Sequence, residues 1–130
     1  MKTKWIKVVF AVSAVYDGLL AVTFLFFSET IYHFFGIPQP NHLGYVHFPA
    51  LLMIVFALLY WRVAIDPVKF RVLIPYGMGL KFSYCAVVFV HRFTGGIPSM
   101  WIPFAWFDLV SLFLFVFAWR KVKSLPLLPT

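Results

Sequence analysis

A chain of 130 residues has room for one domain and no more. Its hydrophobic fraction of 63% exceeds the roughly 45–50% of soluble domains, and its charged fraction of 12% is about half their usual share, so a soluble fold of this size is excluded. The net charge of +7 falls in short basic stretches beside apolar runs, with no basic stripe or soluble nucleic-acid motif, so a lipid bilayer rather than nucleic acid is the expected partner.

The first apolar run extends from Ile6 to Phe27. It holds Asp17 and has no small-residue cleavage site before Glu29, so it is expected to stay as a membrane span and not to be removed as a leader. After it, Ser28 can cap a short helix through Tyr32 and Phe35 that Gly36 ends, with Ile31, Phe34 and Phe35 in the membrane interface. Pro38 and Pro40 stiffen the connection, and Asn41 to Gly44 turn into the next run.

The second run, Tyr45 to Trp61, is short. Asp66-Pro67 marks a turn. The third run covers Val72 to Val90, and Gly95, Gly96 and Pro98 make the following loop tight. The fourth covers Trp101 to Trp119. Pro75 and Pro103 fall near the starts of their helices, where proline is tolerated. Continuous apolar runs of this length predict helices and not barrel strands.

Basic residues set the expected orientation. Lys2, Lys4, Lys7, Arg62, Lys69, Arg71, Arg120, Lys121 and Lys123 flank one side of the four runs, and Arg92 alone lies on the other. The richer side is the cytoplasmic one. Trp5, Tyr60, Trp61 and Trp119 are the expected anchors at the inner boundary, and Tyr32, Tyr45 and Trp101 at the outer one. The predicted fold is therefore all-α: an integral membrane four-helix antiparallel bundle in the cell membrane (inner membrane). Both termini are cytoplasmic and a short interfacial helix lies in the first outer loop.

Three ionisable residues lie inside the runs. Asp17 is about 16 Å along its helix from the inner end, Asp108 is at a similar depth, and Lys81 is about 14 Å in, at 1.5 Å per residue. An isolated charge there costs roughly 2.5–3.5 kcal/mol or more, so the three are expected to face inward and meet near the bilayer midplane. Lys81 then neutralises one aspartate, and the other is protonated or shares a proton. Ser13, Tyr84 and Ser111 extend this polar face at helical spacing, and Gly77 and Gly79 permit close approach of another helix. Such a cluster is either an ion pair that fixes helix register or a site for a ligand, proton or substrate.

His33, His42, His47 and His91 all map to the outer side and, with Glu29, are weak candidates for a metal site, since no pair has tight ligand spacing. Two inward histidines from different spans would be needed for a b-type haem; His47 and His91 lie at the membrane edge, and no cofactor is expected. Cys85 is the only cysteine, a small core residue without a disulfide partner. Hydrolytic motifs and a phosphate loop are absent.

Several segments together resemble a bacterial group of small four-helix membrane proteins known as DoxX-like: Tyr16 to Phe27, Phe34 to Tyr45, Ala64 to Pro67, Gly79 to Lys81, and Phe107 to Leu109. Some members resemble small membrane subunits of quinone-linked oxidoreductases, so the resemblance implies an accessory role in a larger membrane complex. The expected function is that of an accessory subunit or lipophilic-ligand-binding protein without catalysis of its own, with Asp17, Lys81 and Asp108 holding the bundle or contacting the ligand. A homo-oligomeric proton-coupled transporter, and an acid–base enzyme on a lipid-like substrate, are the alternatives.

Overall fold

The computed structural model describes residues 3–127. Lys2, one of the nine basic residues assigned above to the inner side, lies outside the described residues. Four long α-helices account for most of the rest: α1 Lys4–Phe34, α2 Gly44–Ile65, α3 Ile74–Thr94 and α4 Trp101–Val122. A 3-10 turn, Arg71–Leu73, leads into α3. Each helix is long and apolar enough to cross a membrane.

The helices form a bundle in sequence order. α1 packs mainly along α2 and α3 along α4, with lighter contact between α1 and α4 and between α2 and α3. Neighbours run antiparallel. Phe10 near the start of α1 meets Tyr60 near the end of α2, whereas Tyr32 and Val46 share a cluster at the opposite end. In α3 and α4 the Tyr84 hydroxyl donates to the Trp101 carbonyl at 3.1 Å, and Arg71 at the other end donates to the Val122 carbonyl at 2.9 Å. Both ends of the described chain thus lie at one end of the bundle, here the termini end.

Residue size explains the closest pairing. Ala14 and Ala21 of α1 and Ala50, Ala57 and Ala64 of α2 recur at seven-residue spacing and are all buried. Side chains this small let two backbones approach, and a Cβ on Gly18 would stand 3.7 Å from that of Ala57.

The apolar core is divided in two. At the termini end Ile6, Phe10, Tyr60, Val63, Ile74, Phe115 and Val122 pack together, with the Phe10 and Phe115 rings stacked at 4.3 Å. At the far end Phe24, Tyr32, Val46, Ala50 and Met100 form the second part. The exterior is apolar as well: Phe26, Phe48, Leu58, Phe82 and Phe117 are exposed, and Phe93 is 82% exposed.

Several expected boundaries move. α2 runs to Ile65, so Ala64 and Ile65 are helical, and this run is not short. α1 continues to Phe34 through a break at Phe27 (φ −127°, ψ 23°). The break comes one residue before the expected cap Ser28, which is buried inside the helix. A straight helix of 31 residues would be about 46 Å long, well over a hydrocarbon core of about 30 Å, so a change of direction here is understandable. Gly36 closes the helix with φ +65°, and the Ile37 N–H donates to the Tyr32 carbonyl, as a left-handed glycine terminator does. Asp66 closes the loop after α2 by accepting the Lys69 N–H at 3.1 Å. Tyr60, expected as an interfacial anchor, is fully buried, because its ring fills the termini-end core beside Phe10 and Phe115.

Candidate functional site

The inward face of α3 reads Ile74, Gly77, Lys81, Cys85 and Val88, steps of three and four residues that place one stripe on one side of a helix. The matching faces carry Ser13, Asp17 and Ala21 on α1, and Ala105, Asp108, Ser111 and Phe115 on α4. The polar members cannot avoid the core, because they sit in register with the residues that build it.

The Lys81 ammonium lies between the two aspartates. It donates to Asp17 Oδ1 and Oδ2 at 3.2 and 3.1 Å and to Asp108 Oδ1 at 3.0 Å. Lys81 is 0% exposed, the Asp17 side chain 3% and the Asp108 side chain 13%. All three of these contacts go to carboxylate oxygens, so the ammonium is held between two opposite charges. Aromatic rings complete the surroundings, with Lys81 Nζ 5.3 Å from the Tyr60 ring centre and 5.7 Å from that of Phe107. Such contacts add attraction for a desolvated cation.

The two aspartates differ. Asp17 uses both oxygens on Lys81. Asp108 uses Oδ1 alone. Among the described residues no buried side-chain oxygen or nitrogen lacks a partner, so Asp108 Oδ2, which makes no hydrogen bond, is an accessible atom.

Asp108 lines a cavity of about 610 Å³ in the far half of the bundle. All four helices line it. Asp17, Asp108, Tyr16 and Leu80 contribute at the level of the charged cluster, and Tyr32, Tyr45 and Trp101 contribute toward the far end. The lining is otherwise mostly apolar, and none of the lining residues is basic. Pro49, which removes a helical N–H donor from α2, lies in the same wall. Tyr84 lines the cavity with its hydroxyl committed to Trp101. The Phe24 and Trp101 rings stack at 5.6 Å.

Of the residues singled out from sequence, Asp17, Lys81 and Asp108 meet directly, and Tyr84 borders the same cavity. Ser13 and Ser111 are buried on the same helix faces, yet neither hydrogen-bonds to the charged cluster. Gly77 serves close approach, since a Cβ there would lie 2.6 Å from Tyr60 Cε1; Gly79 does not, because nothing lies within 4 Å of its Cβ position. The expected metal candidates do not assemble. His33, His42 and His91 are exposed, and among the described residues no three His, Cys, Asp or Glu side chains are grouped as ligands. His42 instead accepts the Gly44 N–H through Nδ1 at 2.9 Å and so serves the start of α2.

Tyr16, Tyr60 and Phe107 are site residues that sequence reasoning missed. A signal was available: an aromatic residue directly precedes the aspartate in both α1 (Tyr16-Asp17) and α4 (Phe107-Asp108). Those two rings stack at 3.8 Å, holding α1 and α4 together beside the lysine.

No protein-family profile, curated protein or solved structure matches this chain.

Proposed function

We propose that this chain is a multi-pass protein of the cell membrane, with both termini in the cytoplasm, that binds a lipophilic small molecule beside the Asp17–Lys81–Asp108 cluster. The observation that carries the reading is the cavity of about 610 Å³, apolar along its walls and bounded at one end by a buried ion triad. Pockets of roughly 300–1,000 Å³ with apolar walls and a few convergent polar groups suit small lipophiles. A purely structural triad would need no open volume beside it.

The membrane assignment is supported by four apolar helices with an apolar exterior. Orientation is supported by Lys4, Lys7, Arg62, Lys69, Arg71, Arg120, Lys121 and Lys123, which belong to the termini end, against Arg92 at the far end. In this reading the segment after Phe27, with Phe34 and Phe35 exposed, lies in the outer interface, and the cavity is in the outer half of the bilayer. A DoxX-like affiliation and a place as accessory subunit in a larger membrane complex, or in a homo-oligomer, belong to the same proposal and rest on the sequence motifs.

Native mass spectrometry of the protein extracted gently from its own membrane tests the binding function. A reproducible small-molecule adduct is expected, and it should weaken in Leu20→Trp, which narrows the cavity. A protein free of any adduct in both forms would count against ligand binding. Orientation is tested in a Cys85→Ser background by maleimide labelling of single cysteines at Thr94 and Ser124. Opposite sidedness is expected, with Ser124 cytoplasmic.

Proton-coupled transport is the second reading. It is favoured by one observation: Asp108 touches both Lys81 and the cavity, so its ionisation and the cavity's contents are linked. Proton-driven flux in proteoliposomes, lost in Asp17→Asn, would support it.

A further inference from the structure

We infer that the cavity takes a lipophilic cation, a protonated amine on an apolar body, with its N–H directed to the second oxygen of Asp108. This rests on the proposed ligand-binding function and adds the ligand's charge.

Formal charge gives the first reason. Two carboxylates meet one ammonium, so the triad carries one negative charge in excess when all three are ionised. The residues that line the cavity include Asp17 and Asp108 and no lysine, arginine or histidine, so the protein offers no second cation there. A buried charge without a counter-charge is costly, and a cationic ligand supplies one.

Donor geometry gives the second. An anionic ligand would need Lys81 as its counter-charge, but that ammonium is 0% exposed, is not among the residues lining the cavity, and makes its hydrogen bonds to Asp17 and Asp108. The Tyr84 hydroxyl is committed to the Trp101 carbonyl, and the side-chain donors of Tyr16, Tyr32, Tyr45 and Trp101 that also line the cavity are neutral and give an anion no counter-charge. Asp108 presents the opposite character when ionised: it is a cavity-lining carboxylate with one accessible oxygen that no protein donor occupies. A charge-assisted N⁺–H···O⁻ bond is the strongest contact this atom can make.

The walls give the third. Tyr16, Phe24, Tyr84 and Trp101 border the cavity. Aromatic faces attract a desolvated cation and also pack against an apolar body, so they suit both halves of such a ligand.

The test compares three probes that share one body: 4-phenylbutylamine, 4-phenylbutan-1-ol and 4-phenylbutyrate. Binding to the full chain in nanodiscs of neutral lipid is measured by calorimetry, with protein-free discs correcting for partition. The amine is expected to bind at least about tenfold more tightly than the alcohol, with the acid weakest, and Asp108→Asn should shrink that preference to about twofold or less. Equal binding of amine and alcohol, tightest binding of the acid, or a preference unchanged in Asp108→Asn would overturn the cation inference while leaving ligand binding in place. No binding of any probe above protein-free discs would overturn both. Should Asp108→Asn fail to fold by circular dichroism, Leu20→Trp takes its place. That variant keeps the charges, narrows the cavity and should weaken amine binding, and unchanged affinity would sink the assignment to this cavity.

Discussion

The Tyr60 hydroxyl donates to the Gly77 carbonyl at 3.1 Å, and a Cβ on Gly77 would lie 2.6 Å from Tyr60 Cε1. α2 and α3 therefore meet ring against backbone, one turn before Lys81. The same ring lies 5.3 Å from the lysine ammonium and packs against Phe10 and Phe115. Tyr60 thus links the termini-end core to the charged cluster, and it cannot retreat, because it is fully buried.

Gly77→Ala and Gly79→Ala should consequently diverge. Alanine gains up to about 1 kcal/mol of helix propensity at either position. At Gly77 the clash with a pinned, buried ring reverses this, for a net loss of about 1–3 kcal/mol, the usual range for overpacking. At Gly79, where nothing lies within 4 Å, the gain should survive. Thermal unfolding in detergent orders the two variants; a Gly79→Ala protein less stable than Gly77→Ala would refute this account of the α2–α3 contact.

Lys81→Met should be severely destabilising, by about 3–5 kcal/mol, because it leaves two aspartates buried without their shared cation. Replacing all three members by apolar residues (Asp17→Leu, Lys81→Met, Asp108→Leu) should recover much of that loss while abolishing ligand binding. Chemical unfolding of both variants separates the possibilities. A triple variant as unstable as Lys81→Met would mean that the triad is not replaceable by packing.

Arg71 reaches from the turn before α3 to the end of α4, donating to the carbonyls of Val122 and Leu125. Helix C-termini leave such carbonyls without intrahelical partners. Arg71→Met should therefore loosen the last turn of α4 locally, by about 1–2 kcal/mol, with Arg71→Lys intermediate. Faster amide exchange confined to residues 122–127 is the expected signature. Unchanged exchange there would show that the arginine does not hold this end.

Phe10 and Phe117 offer a contrast between core and exterior. Phe10→Ala removes a fully buried ring stacked on Phe115 and should cost about 3–5 kcal/mol. Phe117 is exposed, and Phe117→Ala should change stability in detergent by about 0.5 kcal/mol or less. Comparable losses in both would mean that Phe117 faces a protein neighbour and not solvent or lipid.

Much of this architecture was legible in the amino-acid sequence. The four helices follow from the lengths of the apolar runs, and the inward stripe of Asp17, Lys81 and Asp108 follows from the high cost of exposing charge to lipid. The ends were less legible. Hydropathy marks where the apolar runs stop and not where helical hydrogen bonding stops, so neither the continuation of α1 past the Phe27 break to Phe34 nor the extension of α2 to Ile65 was legible.

Sequence alone dictated that three charges on three helices must find one another, because depth along a helix is a linear property of residue number and charge is intolerant of hydrocarbon. It could not dictate how the bonds are shared. That Lys81 makes two contacts with Asp17 and one with Asp108, leaving the second oxygen of a cavity-lining carboxylate without a donor, depends on the rotation and spacing of whole helices. Those are decided by how the alanines of α1 and α2, the Tyr60–Gly77 contact and the Phe10–Phe115 stack fit together, a matter of side-chain volumes meeting in three dimensions.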